Sequence, residues 1–275
     1  MTRRTLVARQ LAPLISSLLL TSVALAAPTL PGINARWDAC LADGGVMNKN
    51  FACDTNTGLE QIVLSVQLDG SMPDVSGMEI RVSLKGSTPA LPAWWDFFMA
   101  GSCRQTSLSF VSDPSPVLPP GSCVDWNEGK NGAGGIGAYR VDEIGPGSRV
   151  LLIASAVPQS TLALLDPGTE YRVGLLRINH TKTVGTGACG GCDTPVCILF
   201  TSLKVTTPVA ANDRLFTQGA NGVSSQIVNW QNGQLLNLVN HCTGTFDCNT
   251  QFDCAGVGAV ASRHSTWGAV KSLYR

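Results

Sequence analysis

The stretch Cys189-Gly190-Gly191-Cys192-Asp193-Thr194-Pro195-Val196-Cys197 puts three cysteines within nine residues, directly before the longest strand-like run of the second half, Ile198 to Thr207. Three chemistries share this spacing. A zinc site would use the thiolates and recruit His241 and Cys242. A redox pair would use Cys189 and Cys192 as a CxxC, but such a motif opens a helix in a βαβ unit, and here the surroundings are Gly-rich and β-like. The third is a covalent staple. It is the reading taken, with no metal or cofactor assigned, because the N-terminus predicts export to an oxidising compartment where thiolates do not persist.

That N-terminus has the physics of a secretory signal peptide over residues 1–26. Arg3, Arg4 and Arg9 form a positive head, Leu11 to Leu25 an apolar middle, and Ala24-Leu25-Ala26 a small-residue cleavage site. The apolar run is broken by Pro13, Ser16, Ser17, Thr21 and Ser22 and is too short to span a bilayer. No later stretch comes closer, so no membrane span is expected after signal removal. Removing 26 of the 275 residues, three arginines among them, leaves 249 and turns a balance of 19 basic and 19 acidic groups into 16 against 19. A net charge so mild gives no reason to expect nucleic acid as a partner. With 14% charged residues, 29 glycines and 15 prolines, the composition suits an all-β fold.

Ten cysteines, Cys40, Cys53, Cys103, Cys123, Cys189, Cys192, Cys197, Cys242, Cys248 and Cys254, read as up to five disulfides. Pairing of neighbours suggests Cys40–Cys53 and Cys103–Cys123, short loops worth about 3 kcal/mol each. The remaining six form two groups of three, 189/192/197 and 242/248/254. Each group is odd, so full oxidation demands at least one bond between them and ties the C-terminal segment to the main domain.

Period-two alternation then supplies the strands. Ile62, Leu64, Val66 and Leu68 alternate with Val63, Ser65 and Gln67, and Met78, Ile80, Val82 and Leu84 repeat the pattern. Further strands are expected at 107–111, 137–142, 149–157, 170–178 and 198–207, after an irregular entry at 27–59. Pro92 as a first helical position, with Trp94, Phe97 and Phe98 at helical spacing, predicts a short helix, and Ser160–Leu165 a helical turn. The fold class expected is all-β: a disulfide-braced antiparallel β-sandwich, jelly-roll or Ig-like, over 27–208. Residues 209–275 are expected to form a Cys-rich C-terminal extension. It would hold a hairpin of Arg214–Thr217 with Gln226–Gln231, an edge strand at Leu235–Val239 and a terminal helix from Ser265 or Thr266.

The remaining motifs carry little chemistry. Gly132-Ala133-Gly134-Gly135-Ile136-Gly137 matches GxGxxG but lacks the strand-then-helix context, so it reads as a loop. Asp54, Asn56 and Gly58 resemble the start of a calcium loop whose twelfth position, Ser65, is no bidentate acid. His180, His241 and His264 fall in no HExxH, and no GxSxG exists. Asp142 and Glu143, as strand neighbours, point to opposite faces. Asn179-His180-Thr181 is a formal glycosylation sequon. In a chain with so few aromatics, most of Trp94, Trp95, Phe97, Phe98, Trp126 and Tyr139 are expected to fill the core. The alternative is a platform that stacks on sugar rings, for which Trp95 and Trp126 are the better candidates because Trp94, Phe97 and Phe98 share the buried face.

Two resemblances add to this. Leu165-Asp166-Pro167-Gly168-Thr169-Glu170-Tyr171 resembles the tyrosine corner of fibronectin type III and related sandwiches, in which the Tyr hydroxyl bonds backbone upstream. Trp37-Asp-Ala-Cys40, Asn48-Lys-Asn-Phe51-Ala-Cys53, Leu91-Pro-Ala-Trp-Trp95, Gly101-Ser-Cys103-Arg-Gln-Thr-Ser107, Lys182-Thr-Val-Gly-Thr-Gly187, Cys189-Gly-Gly-Cys192 and Pro195-Val-Cys197-Ile together resemble an uncharacterised family of exported, cysteine-containing bacterial β-sandwich proteins, cohesin-like or carbohydrate-module-like. That likeness runs over residues 33–208 and returns at Thr266–Arg275. It implies no activity and therefore no catalytic residue. The expectation is a secreted, non-catalytic structural or surface module, extracellular or periplasmic, with a polysaccharide or a cell-surface protein as partner. The alternatives are a carbohydrate-binding module using Trp95 and Trp126, or a metal-binding or thiol-redox protein at the CxxC.

Overall fold

The computed structural model describes residues 31–112, 121, 123–239, 246 and 250–256. The expected signal peptide, the terminal helix, Cys242 and Cys248 lie outside them.

In chain order the principal strands are β1 (Gly32–Trp37), β2 (Leu59–Gln67), β3 (Gly77–Gly86), β4 (Leu108–Val111), β5 (Ala133–Val141), β6 (Ser148–Ala156), β7 (Glu170–Asn179), β8 (Val196–Thr206), β9 (Arg214–Phe216), β10 (Ile227–Trp230), β11 (Gly233–Val239) and β12 (Gln251–Gly256). One sheet runs β1-β2-β7-β4, with Val124–Asp125 alongside β7. The second runs from Asn48–Lys49 through β10, β8, β3 and β6 to β5, with β9 also on β8. Apart from the two short segments 48–49 and 124–125, these pairings are antiparallel. The fold is an all-β, sandwich-like architecture, as the alternation predicts.

Alternation also decides which side chains meet between the sheets. Ile62, Leu64 and Val66 of β2 and Val173, Leu176 and Ile178 of β7 pack against Ile80, Val82 and Leu84 of β3 and Ile198, Phe200, Leu203 and Val205 of β8. Burying each such side chain stabilises the fold by about 1.5–3 kcal/mol. The bulge at Phe200/Ser202 in the β8–β3 ladder shifts the inward set from 198 and 200 to 203 and 205.

The outer faces of both sheets are covered as well. Val63 and Leu175 are buried beneath the segment that carries Cys40 and Cys123. On the opposite side Val150, Leu199 and Ile227 are buried with Phe252 and Cys254, under the β11–β12 hairpin. Each cover is bonded to what lies beneath it or beside it: Cys40 to Cys123, and Cys254 to Cys197 of β8.

Several expectations need correction. Residues 27–59 are not wholly irregular, because β1 is a fully buried strand paired with β2. Arg214–Phe216 and Ile227–Trp230 do not pair with each other. Both add in line along the same edge of β8, so this part of the chain belongs to the second sheet. Leu235–Val239 pairs with β12. Pro92 does open a turn, but a 3-10 one over Ala93–Trp95 only, and Gln159–Thr161 is likewise a 3-10 turn. The GxGxxG stretch lies within the edge strand β5, not in a loop; at Gly134 a Cβ would meet the Ala154 carbonyl oxygen at 2.5 Å. The tyrosine corner holds: the Tyr171 hydroxyl accepts the Asp166 backbone N–H at 2.9 Å.

Candidate functional site

The clasp formed by residues 183–192 is where the chain concentrates its sulfur and its aromatic rings. Cys189 is bonded to Cys103 and Cys192 to Cys53, with Cα–Cα separations of 6.3 and 5.8 Å. The predicted neighbour pairs Cys40–Cys53 and Cys103–Cys123 are therefore not formed. Sheet pairing sets the partners, because it brings together segments 83 to 139 residues apart in these three bridges. The expected link between the two groups of three is present as Cys197–Cys254, although the neighbour pairs from which it was deduced are not. Among the described residues no cysteine is free. A CxxC whose two sulfurs belong to different bridges can neither cycle as a dithiol nor present two thiolates to a metal.

One of the two glycines of the motif has a steric task. Gly191 has φ +106°, and a Cβ there would lie 2.1 Å from that of Pro92. This close approach lets the loop receive the polar edges of three buried indoles. Trp94 Nε1 donates to Thr183 Oγ1 at 3.1 Å, Trp95 Nε1 to the Gly191 carbonyl at 3.2 Å, and Trp230 Nε1 to the Cys192 carbonyl at 2.6 Å. Trp94, Trp95 and Phe97 meet edge-to-face, Trp230 lies 5.0 Å from Trp94, and Phe51 stacks on Trp230 at 3.7 Å. Trp37 closes the cluster on the far side of Phe51.

Trp95 and Trp126, the candidate sugar platform, are 0% and 2% exposed. Their faces are taken up by the core and are closed to a ligand. The physical reason is size: a small inter-sheet core fills most cheaply with its largest rings, and five tryptophans are buried among the described residues. The helical-face argument misplaced both Trp95, which is buried, and Phe98, which is 39% exposed and tilted over Tyr139 at 5.6 Å.

Charge inside the clasp is handled by carbonyls. The Arg104 guanidinium is buried, stacks on Trp94 with its Cζ 3.6 Å from the ring centroid, and donates to the Thr181 and Asn179 carbonyls at 2.7 Å each. Desolvation lowers its pKa to about 9, so it stays charged at neutral pH. His180 is buried beside Phe51, its Nε2 3.1 Å from Glu60 Oε1. Glu60 also meets Lys49, whose ammonium bridges to Asp38. Burial disfavours the Lys49 charge, but Asp38 and Glu60 outweigh it and raise the pKa. His180 and Glu60 are within ion-pair distance, yet neither His180 nitrogen makes a hydrogen bond of good geometry among the described residues. Among the described residues no hydroxyl or thiol is hydrogen-bonded to the His180 ring.

Two further clusters resolve into structural roles. Cys40, Cys123 and Asp43 lie within metal-ligand distance of one another, but the two sulfurs are bonded to each other and Asp43 accepts the Cys123 backbone N–H. Glu170, buried in β7, accepts from the Leu41 and Ala42 backbone amides, the Ser65 hydroxyl and the Asn34 amide. It anchors the turn after Cys40 from beneath. Asn56, from the calcium-like stretch, instead spends its side chain on the Thr183 and Val184 backbone. Asp142 and Glu143 are likewise engaged, the first by Arg149 and backbone amides, the second by Arg81 and Arg140. Sequence reading missed Glu170 and Arg104, since nothing in their spacing distinguishes a buried charge from a solvated one.

Compared with known proteins, the chain matches no family model, no curated protein and no solved structure, so the resemblance to exported sandwich proteins rests on the quoted residues alone.

Proposed function

We propose that the protein is an exported structural or surface module, whose task is to keep its shape outside the cytoplasm and present its surface to a cell-surface or matrix partner. One observation carries this reading: the residue types that do chemistry in other proteins are used up in bracing. Eight cysteines form four bridges between distant segments, three indole N–H groups are bonded to the same loop, and the buried carboxylate of Glu170 serves backbone amides. Four disulfides mark an oxidising environment, which agrees with the signal-like residues 1–26.

The test is localisation combined with loss of function. Antibody labelling of intact cells producing the chain should detect the oxidised protein outside the cytoplasm, and its deletion should alter surface or envelope integrity while leaving intracellular metabolism unchanged. Turnover of a substrate, abolished by changing one polar residue, would overturn the reading. Among the described residues a carbohydrate-binding role is supported by the exposed ring of Phe98 over Tyr139. A glycan array with wild type and Phe98→Ala distinguishes it, since Trp95 and Trp126 offer no face.

A further inference from the structure

We infer that Asn34 and Ser65 become joined by an intramolecular ester bond, formed within the folded chain with Glu170 as the proton carrier. Asn34 on β1 and Ser65 on β2 are directly opposed in the antiparallel ladder. Opposed residues hold their Cβ atoms about 4.5–5.5 Å apart on one face, so the hydroxyl of one reaches the carboxamide of the other. Both groups are bonded to the same oxygen. The Ser65 hydroxyl donates to Glu170 Oε1 at 2.5 Å, and Asn34 Nδ2 donates to it at 3.3 Å. Asn34, Ser65 and Glu170 are 0%, 1% and 4% exposed, so a nucleophile, an acyl group and a base meet with water shut out. The remaining atom, Asn34 Oδ1, is buried and has no hydrogen-bond partner among the described residues. A plain hydrogen-bonded network does not leave an amide oxygen bare, because a buried acceptor without a donor is costly. An ester carbonyl is the weaker acceptor, and the exchange also removes the N–H and O–H donors.

The step is an acyl transfer and needs no oxidant or second reactant. Ser65 Oγ attacks Cγ of Asn34 while its proton passes to Glu170 Oε1. The tetrahedral centre then collapses: the Cγ–Nδ2 bond breaks, Glu170 returns the proton to the departing nitrogen, and ammonia leaves. The carboxylate ends as it began, still held at Oε1 by the Leu41 amide and at Oε2 by the Ala42 amide. The bond secures what the disulfides leave open. β1 is the outermost strand of the first sheet and lies before Cys40, the first cysteine of the chain, so none of the four bridges encloses it. The inference does not rest on the structural-module reading, since such a link braces a protein of any activity, and its failure leaves the disulfides in place.

Mass spectrometry of the purified chain, denatured and with its disulfides reduced, tests this. The wild type should be lighter by one ammonia than the sequence that begins at its N-terminal residue. A digest should contain the Asn34 peptide joined to the Ser65 peptide, and mild alkali, which cleaves esters and spares amides, should part them. Ser65→Ala lacks the nucleophile and Glu170→Gln the base, so each should yield the two peptides separately and at full mass. Separate peptides in the wild type overturn the inference. A link that withstands alkali, or that survives in either variant, overturns it as well. Should Glu170→Gln fail to fold, the wild-type digest and Ser65→Ala still decide.

Discussion

Arg104 lies flat on Trp94, its guanidinium carbon 3.6 Å from the ring centroid, while its two terminal nitrogens close the Asn179 and Thr181 carbonyls. The planar fork does both tasks at once, and an ammonium cannot. Arg104→Met should destabilise the protein by about 2–4 kcal/mol, because two partly buried carbonyls lose their donors and the stacking on Trp94 loses its charge. Arg104→Lys should recover less than half of that. Urea unfolding followed by tryptophan fluorescence measures both.

The bridges make a prediction that is independent of energetics. A non-reducing digest should yield the Cys40 peptide joined to that of Cys123, Cys53 to Cys192, Cys103 to Cys189 and Cys197 to Cys254. Recovery of Cys40 with Cys53 would contradict the fold. Replacing Cys197 and Cys254 together by serine should cost about 2–4 kcal/mol and expose the strip of Leu199 and Ile227 under the hairpin.

Trp95→Ala and Trp126→Ala should each cost about 3–5 kcal/mol of stability, the toll of emptying a packed core position. Were either change instead to leave stability intact while abolishing binding to a polysaccharide, the burial of these rings would be wrong.

Tyr171→Phe removes the acceptor for the Asp166 N–H at the corner leading into β7. A loss of about 1–2 kcal/mol is expected, with the thermal midpoint as the readout.

Tyr139 supplies a pH dependence. Burial, the largest influence, raises its pKa far above the ordinary value of about 10, and its hydroxyl donates to the Trp95 carbonyl. The folded state therefore keeps a proton that the unfolded chain releases. Its contribution is fully present below pH about 10 and is lost as pH rises further. Tyr139→Phe should flatten the alkaline fall in stability. Arg104 acts in the opposite sense, since its lowered pKa makes the unfolded chain the better proton binder above about pH 9. It is common to both proteins, and the comparison cancels it.

Strands were legible wherever one face is apolar and the other polar, as in Met78 to Leu84. They were less legible where both faces are covered. β1 reads Gly-Ile-Asn-Ala-Arg-Trp and buries all six residues, its Arg36 because the Ser225 and Ile227 carbonyls receive the guanidinium. Disulfide partners were hidden for a related reason, since they follow from which strands pair, and that is a long-range property. The link between the two odd groups does form, as Cys197–Cys254, but the neighbour pairs on which the parity argument rested do not, since Cys189 and Cys192 are bonded to Cys103 and Cys53. Trp95 was misjudged because helical spacing was applied to a segment that makes a single 3-10 turn, and Trp126 because its packing into the inter-sheet core is a long-range property.

The order of the bridges along the chain also governs how the molecule responds to proteases. From Cys40 to Cys192 the three bridges overlap, so any one cut there leaves both new ends attached to the same covalent body. From Cys197 to Cys254 the fourth bridge does the same. Between these two circuits lie four residues, Asp193-Thr194-Pro195-Val196, crossed by none of the four. A nick elsewhere within 40–254 is silent until a reductant arrives, whereas a nick in this joint leaves two closed loops of chain held together by non-covalent contacts, the β8–β3 ladder and the packing of Trp230 among them.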